Sequence, residues 1–112
     1  MGRVLGELEQ LLLLGLLRAG GDASGIDLRN DLELRTGRNV LPGAVYTIME
    51  RLRTRGLVFA YTGDATPERG GRRRKHYRLL PAGETALARA YGQIAAMAEG
   101  VEDRLRTLLE ES

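Results

Sequence analysis

Apolar residues recur along the chain with two different periods, and the change of period divides it into segments. From about Leu5 to Ala19, Leu5, Leu8, Leu11, Leu12, Leu13, Leu14, Leu16 and Leu17 begin as one helical stripe and then encircle the helix. A helix that is apolar nearly all round is buried on more than one side, so Leu12 and Leu16 are expected to reach a second chain as well as the core. Gly20-Gly21 ends this segment. A second helix follows to about Thr36, with Asp22 or Ser24 as its cap, Ile26, Leu28 and Leu32 facing inward, and Leu34 as a further inward candidate. Gly37 stops it. The third begins near Leu41-Pro42, where proline suits the first turn because its missing N–H has no helical partner there. Val45, Ile48, Met49 and Leu52 are spaced by three and four and form its buried stripe, which leaves Ala44, Thr47, Arg51 and Arg55 on the other face.

After Gly56 the period shortens. Leu57-Val58-Phe59-Ala60-Tyr61 is apolar, aromatic and partly β-branched, which predicts a strand. Residues 62–71 are rich in turn formers. From Arg74 to Leu80 the chain alternates, with Lys75, Tyr77 and Leu79 on one face and His76, Arg78 and Leu80 on the other. These two runs predict a β-hairpin with a glycine-rich, basic tip. The last segment starts at Pro81, and its apolar positions Leu87, Tyr91, Ile94, Ala98, Val101, Leu105 and Leu108 are separated by alternating steps of four and three. A continuous helix of about 30 residues would be roughly 45 Å long, whereas a domain of this size has a radius of gyration of roughly 13 Å. Such a helix projects beyond the core, and its seam calls for a second copy of the chain. Gly92 and Gly100 weaken it, and either marks a possible bend.

Composition narrows the function. The 112 residues are 43% hydrophobic and 29% charged, as expected of one globular domain. With no Cys and a single His, there is neither a thiol nucleophile nor a clustered zinc-ligand set, and no metal or other cofactor is expected. The apolar run Leu11 to Leu17 is interrupted by Gly15 and is far shorter than the ~20 residues that span a bilayer. Glu7 and Glu9 precede it and no small-residue cleavage site follows, so no membrane association and a cytoplasmic location are expected. The net charge is only +2, but residues 51–78 carry nine basic and two acidic side chains, while the segments before and after are mildly acidic. An excess concentrated in this way suggests a polyanionic partner, most often nucleic acid.

Three helices followed by a hairpin is the element order of a winged helix-turn-helix, with the positive excess on the third helix and the hairpin. The expected fold is therefore mainly α with a small β-hairpin: a winged helix-turn-helix DNA-binding domain over residues 1–80, integrated with a long C-terminal dimerisation helix over residues 81–112. In that architecture the third helix enters the major groove and the hairpin tip reaches the neighbouring backbone or minor groove. Arg72, Arg73, Arg74 and Lys75 are placed to neutralise phosphates, with His76 beside them on the outward strand face. Arg38 and Asn39 precede the third helix, where a phosphate contact competes with a plain turn role. Arg51 suits guanine or phosphate, or is a solvated surface residue. Tyr46 lies just off the buried stripe, which permits either core packing or an exposed hydroxyl.

The sequence also resembles a known family. Tyr46, Leu52, Gly56, Leu57 and Val58, then Gly71, Arg72, Lys75, Tyr77, Leu79, Pro81, Ala82 and Gly83, follow the pattern of the PadR-family regulators over roughly residues 5–90. The resemblance implies a transcriptional regulator, usually a repressor, that dimerises through its C-terminal helix. It further implies a phosphate contact from Tyr46 and, in some members, a small hydrophobic effector bound between subunits. Two positions depart from the pattern: Thr47 stands where proline is common and adds a candidate hydrogen-bond donor, and Leu80 replaces the threonine that would cap the last helix.

Catalysis has no visible apparatus. Ser24 and Ser112 are the only serines, Ser24 sits near a helix start, His76 has no carboxylate beside it in sequence, and no phosphate-binding glycine loop is present. The expected function is thus a sequence-specific regulator binding double-stranded DNA as a homodimer on a pseudo-palindromic operator. The alternative is a non-catalytic module that docks the same basic surface on an acidic protein.

Overall fold

The computed structural model describes residues 4–63 and 74–112. The chain order is α1 (Glu7–Arg18), β1 (Asp22–Ser24), α2 (Gly25–Thr36), α3 (Pro42–Thr54), β2 (Val58–Thr62), β3 (Lys75–Leu79), α4 (Pro81–Ala98) and α5 (Glu102–Glu111). α1 packs against α2, α3, α4 and β3, and this central position uses its leucines. Leu12, Leu13 and Leu16 are completely enclosed together with Val45, Met49 and Leu52 of α3, Val58 of β2 and Tyr77 of β3. The near-complete apolar circumference of α1 is therefore satisfied mostly within the chain. Leu12 and Leu16, and likewise Leu87 of α4, belong to this core and are not available as dimer contacts. α1 leaves Leu14 and Leu17 partly exposed instead.

The sheet has three antiparallel strands in the order β1-β3-β2, one more than the hairpin the sequence predicts. β1 pairs Asp22 with Arg78 and Ser24 with His76. Its residues, Asp-Ala-Ser, have no β-branched or aromatic member, so the pairing rests on backbone hydrogen bonds that leave no side-chain signal. Ser24 ends the strand and caps the next helix: its Oγ accepts the Asp27 amide at 3.1 Å, which satisfies one of the unpaired donors of the first turn. α2 buries Leu28 and Leu32, while Ile26 and Leu34 face outward, contrary to the sequence expectation.

Pro81 starts α4 as expected. The first turn of α4 passes so close to the backbone of Leu57 that a Cβ at Gly83 would collide with the Leu57 carbonyl, a physical reason for glycine in the Pro-Ala-Gly junction. The continuous C-terminal helix is not observed. It breaks after Ala98: Glu99 is extended and Gly100 has φ +90°, a conformation that costs an L side chain strain. Gly92 stays inside α4 without a break. Tyr91, Ile94, Val101, Leu105 and Leu108 of the expected seam are exposed, Ala98 is half-buried, and α5 has no buried residue.

Candidate nucleic-acid interface

α3 is fixed by its buried stripe of Val45, Met49 and Leu52, so helical geometry turns Gly43, Thr47 and Arg51 away from the core. Tyr46 lies on the flank toward the sheet and is 51% exposed, which makes it a surface residue. Lys75 is on the same strand face as the buried Tyr77, two residues away, and therefore reaches α3. Its Nζ stands 5.8 Å from the centre of the Tyr46 ring and 3.9 Å from Glu50 Oε2. Glu50 also accepts from Arg53 Nε at 3.0 Å, while its buried Oε2 has no hydrogen-bond donor among the described residues. Burial, then the nearby Glu50 carboxylate, pushes the Tyr77 hydroxyl up to about 12.

The other flank of α3 faces the start of α1. Arg55 pairs with Glu9 at 3.6 Å, and Arg38 pairs with Glu7 at 2.9 Å. Glu9 meanwhile accepts the Gly6 amide at 2.7 Å, a first-turn cap. Arg51 lies beside Ile48, Arg55 and this first turn in a shallow groove, and it has no side-chain partner among the described residues. The loop before α3 is held by Arg29, which donates to the Val40 carbonyl at 2.6 Å and to Asn39 Oδ1 at 3.2 Å. Asn39 is thus exposed but oriented from beneath. The Thr47 hydroxyl donates back to the Gly43 carbonyl at 3.0 Å, which leaves its oxygen as the outward acceptor.

The structure gathers Tyr46, Thr47, Arg51 and Lys75 around α3, with Arg38 and Asn39 at its approach. It does not bring His76 into that group. His76 is on the opposite sheet face, stacked on Tyr61 with ring centres 5.2 Å apart. Tyr61 in turn stacks on Phe59, and the Arg78 guanidinium lies 5.3 Å from the Tyr61 ring centre. The Tyr61 hydroxyl donates to both Asp22 carboxylate oxygens, at 2.6 and 2.8 Å, and that bond raises its pKa above the ordinary tyrosine value. This cluster is absent from the sequence expectations, although alternation in the two strands places Phe59, Tyr61, His76 and Arg78 on one face. Arg74 is half-buried and its side chain has no partner among the described residues; Arg72 and Arg73 lie outside them. Among the described residues no group of acidic, His or Cys side chains could hold a metal ion, and no helix is long and apolar enough to cross a membrane.

A family model for PadR-like transcriptional regulators matches residues 13–89, from the middle of α1 through the sheet into α4. The chain belongs to the PadR-like family. PadR-like proteins are transcriptional regulators rather than enzymes. A PadR-family regulator from Clostridium difficile R20291 superposes with a TM-score of 0.70 at 22% identity, covering 89% of this chain and 98% of that one. A PadR-family regulator from Eggerthella lenta DSM 2243 gives 0.66 at 27% identity, covering 90% and 88%. F93 from STIV, a winged-helix DNA-binding protein, gives 0.68 at 13% identity, covering 88% and 98%. No curated protein sequence matches. This PadR-like chain therefore has the winged-helix fold, with α3 as its third helix and β2 and β3 as the strands of the wing.

Proposed function

We propose that this PadR-like chain is a sequence-specific repressor that binds a pseudo-palindromic operator as a homodimer. The observation that carries the reading is Arg51: an exposed guanidinium on the outward face of a rigidly packed helix, with no partner among the described residues. Arg51 and Thr47 are the base-reading candidates, because a guanidinium fork matches guanine and a threonine oxygen accepts from base amino groups. Tyr46, Lys75 and Arg74, with Arg72, Arg73, Arg38 and Asn39, are assigned to the phosphate backbone, which sets position rather than sequence. His76 is assigned to the support of the wing sheet. The exposed apolar residues Tyr91 and Ile94 of α4 and Val101, Leu105 and Leu108 at α5 support pairing of two chains through residues 81–112. Two α3 helices related by a two-fold axis then address half-sites about one helical turn, or a multiple of it, apart.

Selection of bound duplexes from a random pool tests the reading, with enrichment of an inverted repeat as the expected result. A folded dimer that enriches no sequence would falsify it and favour the acidic-protein partner. Arg51→Ala is expected to cost about 1–3 kcal/mol on the enriched site and to relax preference at one position in each half-site.

A further inference from the structure

The cations around α3 are mostly already occupied. Arg38 pairs with Glu7, Arg55 with Glu9, and both Arg53 and Lys75 with Glu50, all within 4.0 Å. The three carboxylates stand on both flanks of the helix, two from the first turn of α1 and one from α3 itself. Arg51 and Arg74 remain without side-chain partners among the described residues. Glu7 and Glu9 also offset the positive end of the α1 dipole, which would otherwise attract a phosphate.

We propose that Glu7, Glu9 and Glu50 restrain sequence-independent binding to duplex DNA, holding the regulator off bulk DNA through internal counter-charges. The proposal rests on the DNA-binding reading above. Non-specific affinity comes almost wholly from cations that displace condensed counterions, so a cation already paired contributes only after it exchanges its carboxylate for a phosphate. An unexchanged carboxylate near the duplex repels it. Glu50 holds two cations, and its buried Oε2 lacks a hydrogen-bond donor among the described residues, so its influence is the largest. Glu9 comes next, with its side chain and that of Arg55 mostly buried and poorly screened. Glu7 is 77% exposed and contributes least.

The experiment compares wild type, the triple variant Glu7→Gln, Glu9→Gln, Glu50→Gln, and the three single variants on a random-sequence duplex by fluorescence anisotropy between about 50 and 200 mM salt. Glutamine keeps the acceptor for the Gly6 amide and for Arg53, and thermal melts establish that each variant is folded. A control with the same charge change in α5 carries Asp103→Asn, Glu110→Gln and Glu111→Gln. The triple variant is expected to bind roughly tenfold more tightly at the low-salt end, with a salt slope steeper by at least about 1. That advantage shrinks about three- to fourfold per freed cation across the salt range. The single variants rank Glu50, Glu9, Glu7. Wild-type affinity and slope in a folded triple variant, or an equal gain in the α5 control, overturns the proposal alone. If the triple variant is unfolded, Glu50→Gln decides by the same criteria. Absence of salt-dependent duplex binding in wild type overturns the DNA reading, and this proposal with it.

Discussion

α1 and the pair α4–α5 both carry many apolar residues, leucine in α1 and mainly alanine and leucine in α4–α5, yet they meet opposite fates. α1 is surrounded by other elements and encloses Leu12, Leu13 and Leu16, whereas α5 buries nothing and the last two-thirds of the C-terminal arm keep Tyr91, Ile94, Val101, Leu105 and Leu108 in solvent. What separates them is the angular spread of apolar positions. The leucines of α1 reach several neighbouring elements and leave only Leu14 and Leu17 partly exposed, while Tyr91 and Ile94 of α4 and the apolar residues of α5, beyond the break at Glu99-Gly100, find no element among the described residues to cover them. Apolar content alone does not distinguish a helix that the chain encloses from one that it leaves exposed; the distribution around the axis and the neighbours within reach do.

Three substitutions test this contrast. Leu16→Ala opens a cavity in the core and is expected to lower unfolding free energy by about 2–5 kcal/mol in denaturant titrations at any protein concentration. Leu105→Asp acts only on assembly: light scattering should report the monomer mass, and the melting midpoint should lose its dependence on protein concentration. A dimer mass retained by that variant would remove the seam from the account. Gly100→Ala has the smallest effect. Its φ of +90° strains alanine by about 1–2 kcal/mol, which should appear as weaker dimerisation while the α1 core keeps its hydrogen-exchange protection.

The parts of the fold that were legible in the sequence are those encoded by local periodicity and local chemistry. The stripe of α3, the alternation of β3, the Ser24 cap and the Pro81 start all depend on residues within one or two turns of each other. The parts that were not legible depend on distant partners. β1 has no apolar pattern because its pairing is through the backbone, and Leu87 could not be told from the rest of its heptad series until α4 was docked on α1. The break after Ala98 was readable as a choice between Gly92 and Gly100, but helix propensity alone does not choose between two glycines. At the candidate interface, the basic residues stood out as a run of charge. Their carboxylate partners did not, since Glu7 and Arg38 are joined only by the tertiary fold.

β3 lies between β1 and β2, with Arg78 opposite Asp22 and Leu79 opposite Val58. A chain growing from its N-terminus therefore makes α1, β1, α2, α3 and β2 before the strand that joins them exists. Tyr77, enclosed in the core, and Lys75, over Tyr46, arrive with that strand. A product of interrupted translation that stops short of Lys75 lacks the middle strand of its sheet and the core residue Tyr77. Such a fragment is expected to be cleared by proteolysis faster than the complete chain.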